Sequence, residues 1–73
     1  MNKETFLREL EIILELKVNT LHGNEDLQDI GAWDSVAVLE FIAWANEKLH
    51  KKIEVKEIAL ATTVEELYSY VAA

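Results

Sequence analysis

The chain has 73 residues, of which 51% are hydrophobic, and its 14 acidic and 7 basic side chains give a net charge of −7 at pH 7. This length suits one small domain, predicted here as a single domain over residues 1–73, and the apolar content excludes a disordered polyelectrolyte. Because contacts to phosphates need clustered lysine or arginine, the charge argues against binding to nucleic acid or to an anionic membrane. The absence of cysteine excludes a disulfide framework, a thiolate metal site and a thiol nucleophile.

The sequence also predicts where the protein works and what it attracts. No apolar stretch is long enough to span a membrane, and the N-terminus lacks a basic-then-apolar signal, so we expect a cytoplasmic protein without an integral membrane segment. No lysine or arginine lies between Lys17 and Lys48. The acids in that window, which should attract basic surfaces, are Glu25, Asp26, Asp29, Asp34, Glu40 and Glu47.

A first helix is predicted over Met1 to Leu16, with Asn2 as a plausible N-cap. Its apolar residues at helical spacing are Phe6, Leu7, Leu10, Ile13, Leu14 and Leu16. Its solvated side is predicted to carry Glu4, Arg8, Glu9, Glu11 and Glu15, with Glu4 and Arg8 as an i, i+4 ion pair.

A long connection follows from Val18 to Trp33, with helix-breaking residues and spaced apolar ones. We expect Leu21, Leu27, Ile30 and Trp33 to hold it against the helices. A connection of this length in a small domain often has a function or contains a short helical turn. Its acids resemble a calcium loop only superficially, because the alternating ligands, the central glycine and the terminal glutamate are not in place.

The main helix is predicted to run to Leu49 and to start at Asp34 or Ser35, both good N-cap residues. One apolar stripe consists of Val38, Phe41, Ile42, Ala45 and Leu49. The opposite stripe consists of Val36, Glu40, Ala43 and Glu47. That second stripe fits either a solvated acidic face or a surface that meets a partner, and the pattern alone favours the solvated face.

Two further helices complete the fold. A short third helix is predicted over about Val55 to Leu60, and Thr63 with Glu66 forms a capping-box pattern before a fourth helix. That helix has one apolar face formed by Val64, Leu67, Tyr68 and Val71. The predicted fold class is all-α: a small four-helix bundle with three longer helices and one short third helix.

No catalytic constellation is present in the sequence. His22 and His50 are far apart, and Ser35 has neither a histidine nor a lysine base near it in the sequence. A small enzyme or a metal protein is therefore the least supported function.

Asp34-Ser35-Val36 at the start of the main helix resembles the attachment site of the acyl carrier protein family, whose pattern is Asp-Ser-Leu. The similarity extends to the approach Leu27-x-x-Ile30-Gly31-x-Trp33, to Ile53, and to Thr62-Thr63-Val64, which lie at the family's usual distances from the serine. It covers nearly the whole chain and includes size, acidity and helix order.

The resemblance implies a carrier rather than a catalyst. A phosphopantetheinyl transferase, using coenzyme A and magnesium, would attach 4′-phosphopantetheine to Ser35, with Asp34 as part of the attachment motif. The arm's thiol would hold acyl groups as thioesters and deliver them to acyl-transferring, ligating or synthase enzymes with basic docking patches. The resemblance assigns partner docking to Val36, Glu40, Ala43 and Glu47. We also expect a monomer and, from the missing calcium-loop pattern, no metal site.

Departures from the family pattern favour a specialised pathway over primary fatty-acid synthesis. Val36 replaces the usual leucine, and three positions that are often acidic hold Ala37, Asn46 and Lys48. Trp44 is large for its position; we expect it to pack against a neighbouring helix, while a role in partner choice or in filling an acyl space stays open.

Two further points stay open in the sequence. In family members the acyl chain can enter the bundle; the candidates to line such a space are Phe41, Ala45, Ile53 and Leu67, and plain core is favoured. The alternative function is a helical interaction module of the same fold without the arm.

Overall fold

The computed structural model describes residues 1–72, so Ala73, the last residue of the predicted domain, lies outside the described residues. Within them the helices are α1 (Lys3–Ile13), α2 (Ser35–Leu49), α3 (Val55–Ile58) and α4 (Val64–Ala72), and a 3₁₀ turn spans Leu27–Asp29. The predicted all-α fold with a short third helix is confirmed. None of the helices in residues 1–72 is long and apolar enough to cross a membrane.

Helix α1 begins as predicted but ends earlier. The Asn2 side chain accepts a hydrogen bond from the Thr5 N–H at 2.8 Å, which confirms the predicted cap. The prediction that the helix runs to Leu16 was wrong, because Glu15 adopts a left-handed conformation with φ 57°. The N–H groups of Glu15 and Leu16 turn back to the carbonyls of Ile12 and Glu11, closing the helix in a Schellman motif.

Glu11 is the clearest error in the predicted solvated side of α1, because its side chain is only 2% exposed. Its carboxylate accepts hydrogen bonds from the backbone N–H groups of Asn19 (3.1 Å) and Leu21 (2.8 Å). Arg8 lies beside it, with Nε 3.1 Å from Glu11 Oε1, and also donates to the Leu21 carbonyl at 2.8 Å. Glu11 therefore ties the start of the long connection to α1. The predicted pair of Glu4 with Arg8 is also present, at 3.4 Å.

The long connection is held against the helices as predicted. Leu21 and Leu27 are buried, Ile30 and Trp33 are half-buried, and the 3₁₀ turn is the short embedded helical turn that the length of the connection suggested. The connection also caps α4 with its own carbonyls: the N–H groups of Val64 and Glu65 donate to Glu25 and Gly23. This backbone cap between distant segments fixes the connection to the end of the chain.

The capping box before α4 forms only in part. The Glu66 N–H donates to Thr63 Oγ1 at 3.2 Å, as predicted. The Glu66 carboxylate, however, accepts from the N–H and the hydroxyl of Thr62 instead of returning to Thr63. Thr63 faces the long connection, where it forms an isolated bridge with Asp26. The predicted apolar face of α4 is confirmed, with Val64, Leu67 and Val71 buried.

The buried face of α2 is rotated slightly from the predicted stripe. Phe41 and Ala45 are fully buried as expected, while Val38, Ile42 and Leu49 are only half-buried. Ala37, which was compared with acidic surface positions of the family, is instead a core residue at 5% exposure. The small side chain at this position therefore reflects packing in the core.

Candidate functional site

The start of α2 is fixed by a tight turn and a side-chain cap. The Trp33 N–H donates to the Ile30 carbonyl and the Asp34 N–H donates to Ala32. Asp34 has an extended backbone, and its carboxylate accepts the Ala37 N–H at 2.9 Å. Of the two candidate caps, Asp34 is therefore the N-cap and Ser35 is the first residue of the helix.

Ser35 is exposed, and its hydroxyl forms no hydrogen bond with any of residues 1–72. As the first residue of a 15-residue helix, it lies where N–H groups have no partner within the helix and where the helix dipole is positive. A phosphate group bound at this hydroxyl fits those surroundings, because helix N-termini stabilise phosphate oxygens. The position is also open enough for a modifying enzyme to reach.

The histidines do not form a catalytic site with Ser35. His50 ends α2 in a left-handed conformation, so it lies about 20 Å along the helix from the serine at 1.5 Å rise per residue. His22 is exposed and lies beside Glu25, with 3.4 Å between Nδ1 and Oε2. Within residues 1–72, neither histidine forms a hydrogen bond with Ser35.

The acids of the long connection have structural roles or face solvent. Glu25 accepts hydrogen bonds from the backbone N–H groups of His22 (2.7 Å) and Gly23 (2.8 Å). Burial acts to raise the pKa of the Glu25 carboxyl, but these hydrogen bonds outweigh burial and hold the pKa below its usual value. Across residues 1–72, no group of three or more metal-ligating side chains is arranged to hold a metal ion.

The proposed partner residues lie together on the exposed side of α2. Val36, Glu40, Ala43 and Glu47 are all exposed. Leu39 joins them at 59% exposure, beside Val36 at 60%. The sequence analysis did not assign Leu39 to this surface, because Leu39 falls between the two stripes on the helical wheel. Leu39 could have been found from the sequence as a large apolar residue that lies outside the core stripe and three residues after Val36.

The candidates for lining an acyl space are core residues. Phe41, Ala45 and Leu67 are fully buried and Ile53 is 7% exposed. An open groove of about 250 Å³ lies elsewhere, between the 3₁₀ turn and the α3–α4 connection. It is lined by Asp26, Leu27, Gln28, Ala61 and Thr62, and none of the four candidates lines it.

A family model described as "phosphopantetheine attachment site" matches residues 4–71 of the chain. The chain belongs to this family. No curated protein and no solved structure matched the chain significantly. A phosphopantetheine carrier domain is not itself a catalyst: it bears 4′-phosphopantetheine covalently on a serine and carries the intermediates linked to that group. Its partners are a phosphopantetheinyl transferase and the enzymes that use the carried group.

Membership in the family explains how a chain without cysteine can carry intermediates on a thiol. The prosthetic group, when bound, supplies the thiol on which intermediates are carried, so the absence of cysteine is no obstacle. The chain itself provides an anchor, a helical frame and a surface for partners.

Proposed function

We propose that the chain is a single carrier domain over residues 1–73 and that Ser35 is its attachment serine, with Asp34 as the capping residue of the attachment motif. One observation carries this assignment: Ser35 is an exposed serine at the N-terminus of a long helix, inside the matched region. The other serine, Ser69, lies within α4, and its hydroxyl donates to the Glu66 carbonyl.

The chain's own residues position the Ser35 hydroxyl, and the transferase catalyses the attachment. Ser35 Oγ forms a bond to the β-phosphorus of coenzyme A as the bond to the adenosine bisphosphate breaks. The hydroxyl proton leaves to a base of the transferase. Asp34 fixes the first turn by holding the Ala37 N–H, so the hydroxyl projects from a rigid helix end. The positive end of the α2 dipole then stabilises the negative phosphodiester.

The docking surface in this proposal is the exposed side of α2, formed by Val36, Leu39, Glu40, Ala43 and Glu47. Acids on this side steer the carrier toward basic patches on partner enzymes, while the apolar side chains add packed contacts. The region between Lys17 and Lys48 has no lysine or arginine that would oppose this attraction. A surface of this charge does not suit nucleic acid.

The cargo belongs to a specialised branch of fatty-acid, polyketide, lipid or aminoacyl metabolism in this proposal. The basis is the low acidity of α2, where Asn46 and Lys48 occupy positions that are often acidic in the family. The proposal also includes a monomeric carrier in the cytoplasm, where a reducing environment keeps the arm's thiol free.

Intact mass after incubation with coenzyme A, magnesium and a broad-specificity transferase tests the assignment. The wild-type chain is expected to gain one phosphopantetheine and Ser35→Ala to gain none. Ser69→Ala is the matched control and should be modified like the wild type. Modification of Ser35→Ala, or an unchanged wild-type mass with several transferases, would contradict the proposal.

The alternative is an interaction module of the same fold that docks through α2 and has no arm. It is supported by the acidic and apolar side of α2, which is suited to binding whether or not Ser35 is modified. Such a module would stay unmodified in its own host and bind its partner equally well as Ser35→Ala.

A further inference from the structure

Five aromatic rings contact one another from the approach to Ser35 into the interior. Trp33 lies two residues before the serine and meets Phe41 of α2 at a centroid distance of 6.0 Å. Phe41 contacts Phe6 of α1 at 6.1 Å and Trp44 at 5.7 Å. Phe6 further contacts Trp44 at 6.1 Å and Tyr68 of α4 at 5.3 Å. This set of rings, called here the aromatic cluster, joins three helices and the segment that leads to the proposed attachment site.

The aromatic cluster forms part of the packed core and does not line a cavity. Phe6 and Phe41 are completely buried, and Trp44 covers both of them from the flank of α2. Aromatic rings are large and have few rotatable bonds, and close-packed interiors resist insertion of additional groups. Since each ring contacts at least one other, opening space for an alkyl chain requires several rings to move together.

We infer that this carrier keeps its cargo outside the bundle and that Trp44 is the residue that most directly closes the interior. The inference rests on the proposed function, because it concerns a group held on the arm at Ser35. A long alkyl chain left in water is unfavourable, since apolar surface prefers to be buried. The site therefore suits short or polar acyl groups, because a long alkyl chain receives no shelter from the bundle.

The test compares acetyl, octanoyl and dodecanoyl thioesters loaded on Ser35 from their coenzyme A derivatives. The rate of thioester cleavage by hydroxylamine is measured for each and divided by the rate for the same acyl group on free pantetheine. The wild-type ratio is expected to be the same for all three chains, and the melting temperature should not rise with chain length. A ratio that falls for octanoyl and dodecanoyl, whether they enter the core or the surface groove, would overturn the inference.

Variants test the role of Trp44 in the same assay. Trp44→Ala removes the flanking ring, and the octanoyl and dodecanoyl thioesters should then be cleaved several-fold more slowly than the acetyl one. Trp44→Leu, a smaller change, is used if circular dichroism shows that Trp44→Ala is unfolded. Ile12→Ala, on the exposed side of α1, is the control and should behave like the wild type.

The outcomes separate this inference from the proposed function. Failure to load any group on Ser35 would remove the attachment site itself. Successful loading with chain-length protection in the wild type would leave the attachment site standing and overturn only the closed interior. Folded Trp44 variants without protection would overturn the assignment to Trp44.

Discussion

A buried carboxylate holds the long connection to α1 through backbone hydrogen bonds. Glu11 accepts from the N–H groups of Asn19 and Leu21, which belong to a segment with little regular structure. Polar groups buried without partners are costly, so a single side chain that satisfies two of them has a large effect on stability. The connection leads to Asp34, the N-cap of α2, and the position of the connection therefore depends partly on Glu11.

Glu11→Ala should lower the free energy of unfolding by about 1–3 kcal/mol, the cost of leaving buried donors unsatisfied. Urea unfolding followed by circular dichroism measures this change. Glu9→Ala is the matched control on the same helix; it should shift stability by less than about 0.5 kcal/mol, as is usual away from buried networks. Equal effects for the two variants would show that the buried hydrogen bonds contribute little.

The lowered pKa of Glu25 predicts that stability depends on pH in the acid range. Because its pKa is below the ordinary 4.5 in the folded chain, its stabilisation is present above that value and is lost as the pH falls through the lower folded pKa. In Glu25→Gln the unfolding free energy should therefore fall less steeply on acidification than in the wild type. Urea midpoints across the acid range measure the slope, and identical slopes would contradict this role.

The sequence predicted single residues well where the determinant is local. The caps at Asn2 and Asp34 depend on side chains that reach only three residues along the chain. Glu11 and Ala37 were misplaced because their surroundings are made by segments distant in sequence. Helical periodicity places a glutamate beside other charges in the solvated stripe, and it contains no information about the connection that later covers that glutamate.

Helix α2 combines the anchor and the docking side in one rigid element. Its N-terminus presents Ser35, and the same helix presents Glu40 and Glu47 to solvent. A partner that docks along the helix therefore meets the hydroxyl at a fixed distance from its contact surface. The relation depends on the helix remaining straight from Ser35 to Leu49, which the absence of glycine and proline within it favours.

Glu40→Lys and Glu47→Lys should slow modification by a transferase several-fold at low salt and leave stability within about 0.5 kcal/mol of the wild type. Glu15→Lys, which changes the net charge equally at the exposed turn after α1, is the control. The difference between the α2 variants and the control should shrink as salt is added, because ions screen exposed charges. Equal rates for all three variants across the salt series would contradict steering by this side.

The starts of helices were more predictable than their ends. α2 and α4 begin where the cap residues indicated, since capping is a local hydrogen bond. α1 and α3 end earlier than predicted: Glu15 turns left-handed, and Leu60 lies beyond α3 with 75% exposure. The residues after both helix ends still favour helix, so tertiary packing determines where the chain turns.

The molecule as a whole has a small hydrophobic core and an uneven distribution of charge along the chain. The aromatic cluster links α1, α2 and α4, and Phe41 contacts three of the other rings. The fold class was predictable because helical periodicity and size restrict a short acidic chain to a helical bundle. Which rings meet was not predictable, because ring contacts depend on how the helices cross.

Phe41→Ala should lower the free energy of unfolding by about 3–5 kcal/mol, the usual cost of removing a buried phenylalanine. Leu39→Ala on the same helix is exposed and should change it by less than about 0.5 kcal/mol. Urea unfolding at low temperature measures both. An unfolding free energy for Phe41→Ala close to that of the wild type would show that Phe41 is not central to the core.

The intact mass of the protein purified from its own host tests the central claim most directly. The account predicts a mass above that of the sequence by one phosphopantetheine, with or without cargo, and fragmentation that locates the group on the peptide containing Ser35. A native protein at the mass of its sequence, or a group located on Ser69, would contradict the account.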